Sequence, residues 1–203
     1  MRIFKEEPWF YNRRFLADNS SLIKGDVVDI GCGQGKYKDL ISSSPQVKSY
    51  TGVDFYTKQA DIVADLNNRL PIEDNKFDTA ICISVMEHLL EPQIALSEIA
   101  RILKPDGYLF LSTVWIYPYH GEPDDYFRYS GKCLEYLLEK AGFEKVSIIS
   151  YGGKTRILLT FLIAWFPFLK KLSSIIDRFL SLSSKKESPE NIINYQVTAQ
   201  KSK

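Results

Sequence analysis

Short apolar runs along the chain alternate with stretches whose apolar residues recur every three or four positions. Seven runs rich in Val, Ile, Tyr and Phe read as strands: DVVDIG from Asp26, SYTGVDF from Ser49, DIVADL from Asp61, FDTAICIS from Phe77, GYLFLSTV from Gly107, KVSIIS from Lys145 and INYQVTAQ from Ile193. Between them GKYKDLISSS, HLLEPQIALSEIARIL and GKCLEYLLEKAG read as helices. The middle helix is the clearest, with Ile94, Ala95, Ile99, Ile102 and Leu103 on an apolar face and Gln93, Ser97, Glu98 and Arg101 opposite. Gly107 and Gly142 stand where helices should stop, and Lys104-Pro105-Asp106-Gly107 predicts a turn into the next strand. Strands alternating with helices define an α/β sheet with crossover connections.

A chain of 203 residues, 45% hydrophobic, can bury one good core, so residues 1–203 are expected to form a single domain, with 1–26 as an N-terminal helical segment. The net charge of +1 supplies no field that would gather nucleic acid, which favours a small molecule or a neutral polymer as partner. Three widely separated cysteines, Cys32, Cys82 and Cys133, match neither a disulfide framework nor a zinc site, so a reducing cytoplasm and no metal centre are expected. The first residues, MRIFKEEPWFYNRRF, lack the apolar core and cleavage site of a secretory signal.

One composition shift comes late. Residues 154–182 are apolar and basic and predict a helical insertion before the last strand. ILLTFLIAWFPFL, from Ile157 to Leu169, is uncharged for thirteen residues, well short of the roughly 20 that span a bilayer. Leu172, Ile175, Ile176, Phe179 and Leu180 follow at helical spacing, with Lys170, Lys171 and Arg178 nearby. Basic flanks and an aromatic apolar face over 157–180 suit peripheral contact with the inner face of a membrane; a lid, a dimer surface or core packing would use the same pattern.

VVDIGCGQGKY places Gly31, Gly33 and Gly35 directly after an apolar run that ends in Asp29 and Ile30. A bare turn between a strand and a helix lets a ligand approach the backbone closely. The dinucleotide fingerprint G-x-G-x-x-G would require a third glycine where Lys36 stands, which weighs against NAD. Asp54 ends the next strand, twenty-three residues after Gly31, where a carboxylate is placed to accept both hydroxyls of a ribose. A nucleoside is implied.

The ordered blocks DIGCGQG, GVD, ADLNNRLPIEDNKFD, ISVMEHL and ALSEIARILKPDGYLFLS resemble the class I S-adenosylmethionine-dependent methyltransferases that act on small molecules and glycans. The resemblance covers most of the chain. It implies a Rossmann-like fold: a seven-stranded, mostly parallel sheet with an antiparallel last strand and helices on both faces. It also implies S-adenosylmethionine as donor. Asp29 with Gly31, Gly33 and Gly35 would hold the methionine end, Asp54 the ribose, and Asp65 with Leu66 the adenine. Ser84 would lie near the methionine part, and Glu87 with His88 would border the reaction site. Structurally, Asp29 could instead cap the turn, Asp65 the segment after it, and Glu87 or His88 the following helix.

Methyl transfer from a sulfonium is an in-line displacement, so alignment supplies most of the rate and only the acceptor's proton needs chemical help. Acceptor contacts are expected in STVWIYPYHGEPDDYFRYS, after the fifth strand, where loops at the strands' carboxyl ends form the ligand crevice. This stretch resembles the HGxPxDYxRYS/T segment of methyltransferases associated with bacterial surface polysaccharide synthesis. His120 is the candidate base, Asp124 or Asp125 would orient it or bind acceptor hydroxyls, and the aromatic side chains could stack on a sugar ring. Alternatively Arg128 pairs with an aspartate and Asp125 caps the helix beginning near Ser130. The expected activity is methyl transfer to a sugar hydroxyl. The alternatives are an NAD-dependent sugar oxidoreductase or epimerase and a non-catalytic cofactor-binding protein.

Overall fold

The computed structural model describes residues 7–121, 123–169 and 191–203. The expectations placed on Glu122, on Lys170 and Lys171, and on Leu172, Ile175, Ile176, Arg178, Phe179 and Leu180 lie outside the described residues, as do residues 1–6 of the N-terminal segment.

Seven strands form one sheet: β1 (Gly25–Ile30), β2 (Val47–Asp54), β3 (Ile62–Val63), β4 (Phe77–Ile83), β5 (Leu103–Val114), β6 (Phe143–Tyr151) and β7 (Asn194–Lys201). Their order is β3-β2-β1-β4-β5-β7-β6. The pairs β3·β2, β2·β1, β1·β4 and β4·β5 are parallel, whereas β7 runs antiparallel to both β5 and β6. The helices are α1 (Glu7–Asp18), α2 (Lys38–Ser42), α3 (Pro92–Ile102), α4 (Gly131–Lys140) and α5 (Lys154–Trp165). This is the doubly covered, mostly parallel sheet expected from the sequence.

Successive side chains on a strand point to opposite faces, so a strand covered on both sides needs an unbroken apolar run. Val27, Ile81, Ile83 and Phe110 face Phe15 and Leu16 of α1 and Ile41 of α2. Their neighbours Val28, Cys82, Leu109 and Leu111 face Ala95, Leu96 and Ile99 of α3 and Leu134 and Leu138 of α4. The two faces thus have separate cores. The three cysteines are free thiols, with Cys32 and Cys82 buried and Cys133 exposed.

Several boundaries differ from the pattern in the sequence. The first crossover helix shrinks to Lys38–Ser42, because Gly33 and Gly35 keep positive φ angles and hold the preceding residues in the turn. The helix expected from His88 begins at Pro92, and Met86–His88 form a separate 3-10 turn. Proline suits the first helical turn because its missing N–H has no partner to lose there, and it disfavours helical geometry in the residue before it. Lys104-Pro105-Asp106-Gly107 does not separate helix from strand. It is a bulge inside β5, with Leu103 opposite Phe77, Tyr108 opposite Thr79 and Asp106 at φ 62°. The strand expected over 61–66 is reduced to Ile62–Val63. Helix α4 is capped by Ser130, whose Oγ accepts from the Cys133 amide at 3.2 Å, so the cap expected from Asp125 is supplied by another residue.

Helix α5 takes up the first part of the late apolar segment and buries Leu159 and Thr160. Trp165 and Phe168 stay 66% and 75% exposed, which leaves aromatic surface at its end. No helix among the described residues is long and apolar enough to cross a membrane.

Candidate active site

The carboxyl ends of β1, β2 and β4 lie side by side, and the turn after β1 is built on them. Once the strand ends, the amides of Gly31 and Cys32 both donate to the Val53 carbonyl, at 2.8 and 3.1 Å. The Gly33 amide donates to Asp54 Oδ2 at 2.9 Å, while Asp54 Oδ1 accepts from the amides of Tyr56 and Thr57 at 2.9 and 3.2 Å. One carboxylate therefore fastens both loops that flank the crevice. Gly31, at φ +69°, has no room for a side chain: a Cβ would sit 2.3 Å from Val85 Cγ2. Gly33, at φ +54°, faces open space.

That space is a cavity of ≈720 Å³. Of the residues expected to hold the donor, Gly31, Gly33, Asp54, Asp65, Leu66 and Ser84 line it; Asp29 and Gly35 do not. Asp65 Oδ1 accepts from the Asn67 amide and side chain, each at 2.9 Å, and Oδ2 from Asn68 Nδ2 at 2.8 Å, so it also builds its own turn. Ser84 adopts φ 55°, and its Oγ accepts from Asn12 Nδ2 at 3.3 Å. Asn12, buried on α1, thereby braces the cavity, a role that nothing in the sequence pattern announces.

Asp29 lies out of solvent at 1% exposure and accepts from Tyr50 Oη at 2.7 Å. Burial pushes its pKa up to about 7, against the lowering effect of the Tyr50 hydrogen bond and with a further push from the Asp54 charge.

On the opposite wall His88 and Asp124 line the cavity, with Phe55, Tyr56 and Tyr126 at its mouth. His120 and Asp125 are not lining residues. His120 Nε2 lies 3.6 Å from Glu87 Oε1, and its Nδ1 lies 3.4 Å from Asp125 Oδ2. The Glu87 carboxylate has the largest influence on this imidazole and holds its pKa above the ordinary value. Because both nitrogens face carboxylates, the histidine that meets the cavity is His88, whose Nδ1 donates to the Asp124 carbonyl. Asp125 is bound through both oxygens by Arg128, which holds its carboxyl well below the usual range; the Asp125 side chain also accepts from the His120 amide at 2.9 Å. The expected pairing of Arg128 with an aspartate is thus present.

Glu87 is wholly buried, with Oε2 accepting from Thr113 Oγ1 at 2.8 Å. Neither Glu87 nor His88 caps a helix through its side chain: Glu87 points to Thr113, and His88 reaches across to the loop after β5. Glu87, His88 and His120 bring their ligand-capable atoms within 4.8 Å of one another. His88 and His120 lie thirty-two positions apart, so no local motif reveals this cluster.

The profile of the family described as a methyltransferase domain matches residues 2–148. A tRNA U34 carboxymethyltransferase of Nautilia profundicola is 28% identical over 174 residues, covering 72% of this chain and 57% of the relative. A ubiquinone biosynthesis O-methyltransferase of Haemophilus ducreyi is 30% identical over 107 residues, 43% of this chain and 44% of that one. The chain spans about half the length of these curated relatives. In fold it is similar to the crystal structure of a SAM-dependent methyltransferase from Archaeoglobus fulgidus, with TM-score 0.68 and 19% identity over 98% of this chain and 96% of that one. The [4+2]-cyclase SpnF shares the fold at TM-score 0.61 and 20% identity, covering 94% of this chain and 79% of its own. The chain belongs to the methyltransferase-domain family, within the S-adenosylmethionine-dependent class I methyltransferases. Membership of a methyltransferase family and the glycine spacing together weigh against the nicotinamide alternative.

Two outcomes follow from this geometry. Gly31→Ala must place a Cβ against Val85 and hold a left-handed backbone, so it should lose donor affinity and at least the roughly 1–3 kcal/mol of such strain. Gly33→Ala meets no neighbour and should show the backbone cost alone in stability; equal melting temperatures for the two variants would contradict the packing described. The second outcome concerns Asp29, whose pKa burial pushes up to about 7 in the folded chain, above the ordinary carboxylate range. The native state then holds the proton more tightly, so the contribution to stability is full at low pH and is lost as pH rises towards 7. Asp29→Asn, which stays neutral and can still accept from Tyr50, should gain stability over the parent as pH climbs from 4 to 7, by roughly 4 kcal/mol at the plateau. A pH-independent difference in denaturant midpoints would show that Asp29 ionises normally.

Proposed function

We propose that the chain moves the methyl group of S-adenosylmethionine to a hydroxyl of a small, uncharged acceptor, a sugar or glycan precursor of surface polysaccharide synthesis. The observation that carries the acceptor class is the aromatic mouth: Phe55, Tyr56 and Tyr126 are 50%, 67% and 44% exposed at the rim of the donor cavity, beside the Asp124 carboxylate. Flat apolar faces next to hydrogen-bond acceptors suit a sugar ring. The net charge of +1 favours this over nucleic acid, even though two relatives are named for tRNA.

The residues present fit the donor. A cavity of ≈720 Å³ is of the size that takes a nucleoside-sized ligand, and its floor at Gly33 is open where a side chain would intrude. A carboxylate offers about four acceptor directions. Three at Asp54 are taken by the Gly33, Tyr56 and Thr57 amides, leaving room for one ribose hydroxyl on Oδ2 rather than the pair expected from the sequence. Asp65 and Leu66 would border the adenine, Ser84 and the glycine turn the methionine end, and Asp29 the same end from beneath. The sulfonium supplies an activated methyl group. What the chain itself adds is alignment, exclusion of water by the wall of Val85, Leu89 and Leu90, and help with the acceptor's proton from the cluster that includes His120, positioned by Asp125.

The site of action is the cytoplasm, in contact with the membrane's inner face through the described part of the late segment, 157–169, where a lipid-linked glycan would be met. Trp165, Phe166 and Phe168 form its exposed aromatic edge.

Three measurements test this reading. Asp54→Ala should weaken S-adenosylmethionine binding by calorimetry by the approximately 1.5–3 kcal/mol of a charge-assisted hydrogen bond, and unchanged affinity in a folded variant would remove Asp54 from the site. Incubating the protein with labelled donor and surface-glycan intermediates should give a methylated sugar by mass spectrometry, and His120→Ala should reduce that product about 10²–10⁴-fold with donor affinity retained. Methylation confined to tRNA or to phenolic quinone precursors would overturn the acceptor class. Finally, the protein should sediment with liposomes, less so as Trp165→Ser/Phe168→Ser; indifference to liposomes would end the membrane reading.

A further inference from the structure

The three side chains behind the acceptor wall share a feature that general-base chemistry does not require. Glu87 and His88 each have one polar atom tied by a hydrogen bond and a second left over, and the buried Nδ1 of His120 has no hydrogen-bond partner. Glu87 Oε2 accepts from Thr113 Oγ1 at 2.8 Å, while Oε1, in a side chain with 0% exposure, has no hydrogen-bond partner. His88 Nδ1 donates to the Asp124 carbonyl, which makes Nε2 the nitrogen that keeps a lone pair. His120 Nδ1 faces Asp125 Oδ2 at 3.4 Å, and its Nε2 faces Glu87 Oε1 at 3.6 Å.

Imidazoles that bind metal have this arrangement, with the second ring nitrogen turned to a carbonyl or carboxylate that fixes ring and tautomer. The Asp124 carbonyl and the Asp125 carboxylate occupy those outer positions, and Arg128 holds Asp125 in turn. Ligand atoms about 2.0–2.2 Å from a tetrahedral cation lie about 3.4 Å apart, close to the 3.6 Å between Glu87 Oε1 and His120 Nε2. One ligand-capable atom of each residue lies within 4.8 Å of the others, so completing the set asks for a movement of little more than about 1 Å.

We propose that Glu87, His88 and His120 form a site for one divalent transition cation of the zinc, cobalt or manganese type. Two imidazoles and one carboxylate suit these cations better than magnesium or calcium, which prefer oxygen alone. His88 belongs to the cavity wall, so the open position of a three-ligand site faces the acceptor space. A cation there would stabilise the acceptor oxygen as its proton leaves, the one step that alignment with the donor does not assist. The role in methyl transfer rests on the function proposed above; the site itself does not.

The test uses the full chain, stripped with chelator and dialysed. Titration with Zn²⁺ should show one equivalent bound, and Co²⁺ should give the visible absorption of a low-coordinate nitrogen and oxygen site. Glu87→Gln, which keeps the volume and an acceptor for Thr113, and separately His88→Ala and His120→Ala should each abolish the stoichiometric step. Asp125→Asn, which alters only an outer partner, should weaken it about 10- to 100-fold. Absence of stoichiometric binding by the parent, or binding that survives all three ligand substitutions, overturns the proposal, with circular dichroism confirming that each variant is folded. If the stripped protein binds no cation yet methylates a hydroxyl at full rate, the cation site falls and the methyltransferase reading stands. If one cation binds at these residues but no hydroxyl acceptor is methylated, the reverse holds.

Discussion

Backbone amides emerging from the end of β1 must find acceptors before they can line a cavity, and this constraint organises the donor side of the molecule. The parallel pairing of β1 with β2 places the Val53 carbonyl where Gly31 and Cys32 can both donate to it, and it brings Asp54 under Gly33. The turn can then stay open without leaving orphaned donors. It can also stay bare, because Gly31 approaches Val85 too closely for any side chain. The carboxylate expected to greet a ligand is thus first a structural clamp, and its ligand-binding capacity is what remains after three amides are satisfied.

The opposite side of the cavity is organised by a different constraint, the burial of Glu87. Its backbone carbonyl receives the amides of Tyr126 and Phe127 at 2.8 and 3.3 Å, its carboxylate reaches Thr113 on β5, and the preceding Met86 carbonyl receives Tyr129 Oη at 2.9 Å. Together with His88 on the Asp124 carbonyl, these bonds fasten the loop after β5 to the 3-10 turn after β4. Arg128 closes the loop on itself through Asp125 and the carbonyls of Tyr117, Pro118 and Phe127. An irregular segment of this length would ordinarily be loose. Here it is anchored at several points, so the cavity wall it forms is held in one geometry.

The sheet was legible because a strand buried on both faces carries a run of apolar residues, as Val27, Val28 and Ile30 do in β1 and Ala80 to Ile83 in β4, and because the glycine turn and the two acidic strand ends are local in sequence. Boundaries were legible only where local chemistry decided them. Pro92 and the positive φ angles at Gly33 and Gly35 moved two helix starts that apolar spacing alone placed too early. The bulge at Asp106 read as a turn because a turn and a bulge ask for the same residues. Among site residues, those on the donor wall could be inferred one strand end at a time. Asn12 behind Ser84, and the convergence of Glu87 with His88 and His120, depend on elements far apart in the chain meeting at one edge, and no spacing rule carries that information. His120 was legible as a histidine in the right loop; that its nitrogens face Glu87 and Asp125 was not.

The two walls of the cavity are therefore held independently, one by strand ends and the other by a buried glutamate and the loop it receives, and they meet where Ser84 and Val85 lead into His88. This division has a chemical consequence. The donor wall uses mostly backbone groups and could be kept while the loop after β5 changes, so one sheet can serve acceptors as different as those named for its relatives, and even a cyclase. In this chain the wall formed by the turn after β4 and the loop after β5 is far from neutral scaffolding. It concentrates one buried carboxylate, two imidazoles and the Asp125–Arg128 pair within a single turn and loop. Burial of an ionisable group with an unpartnered oxygen is costly. Glu87 Oε1 sits opposite His120 Nε2 behind His88, which lines the cavity, so that cost falls beside the cavity rather than deep in the core.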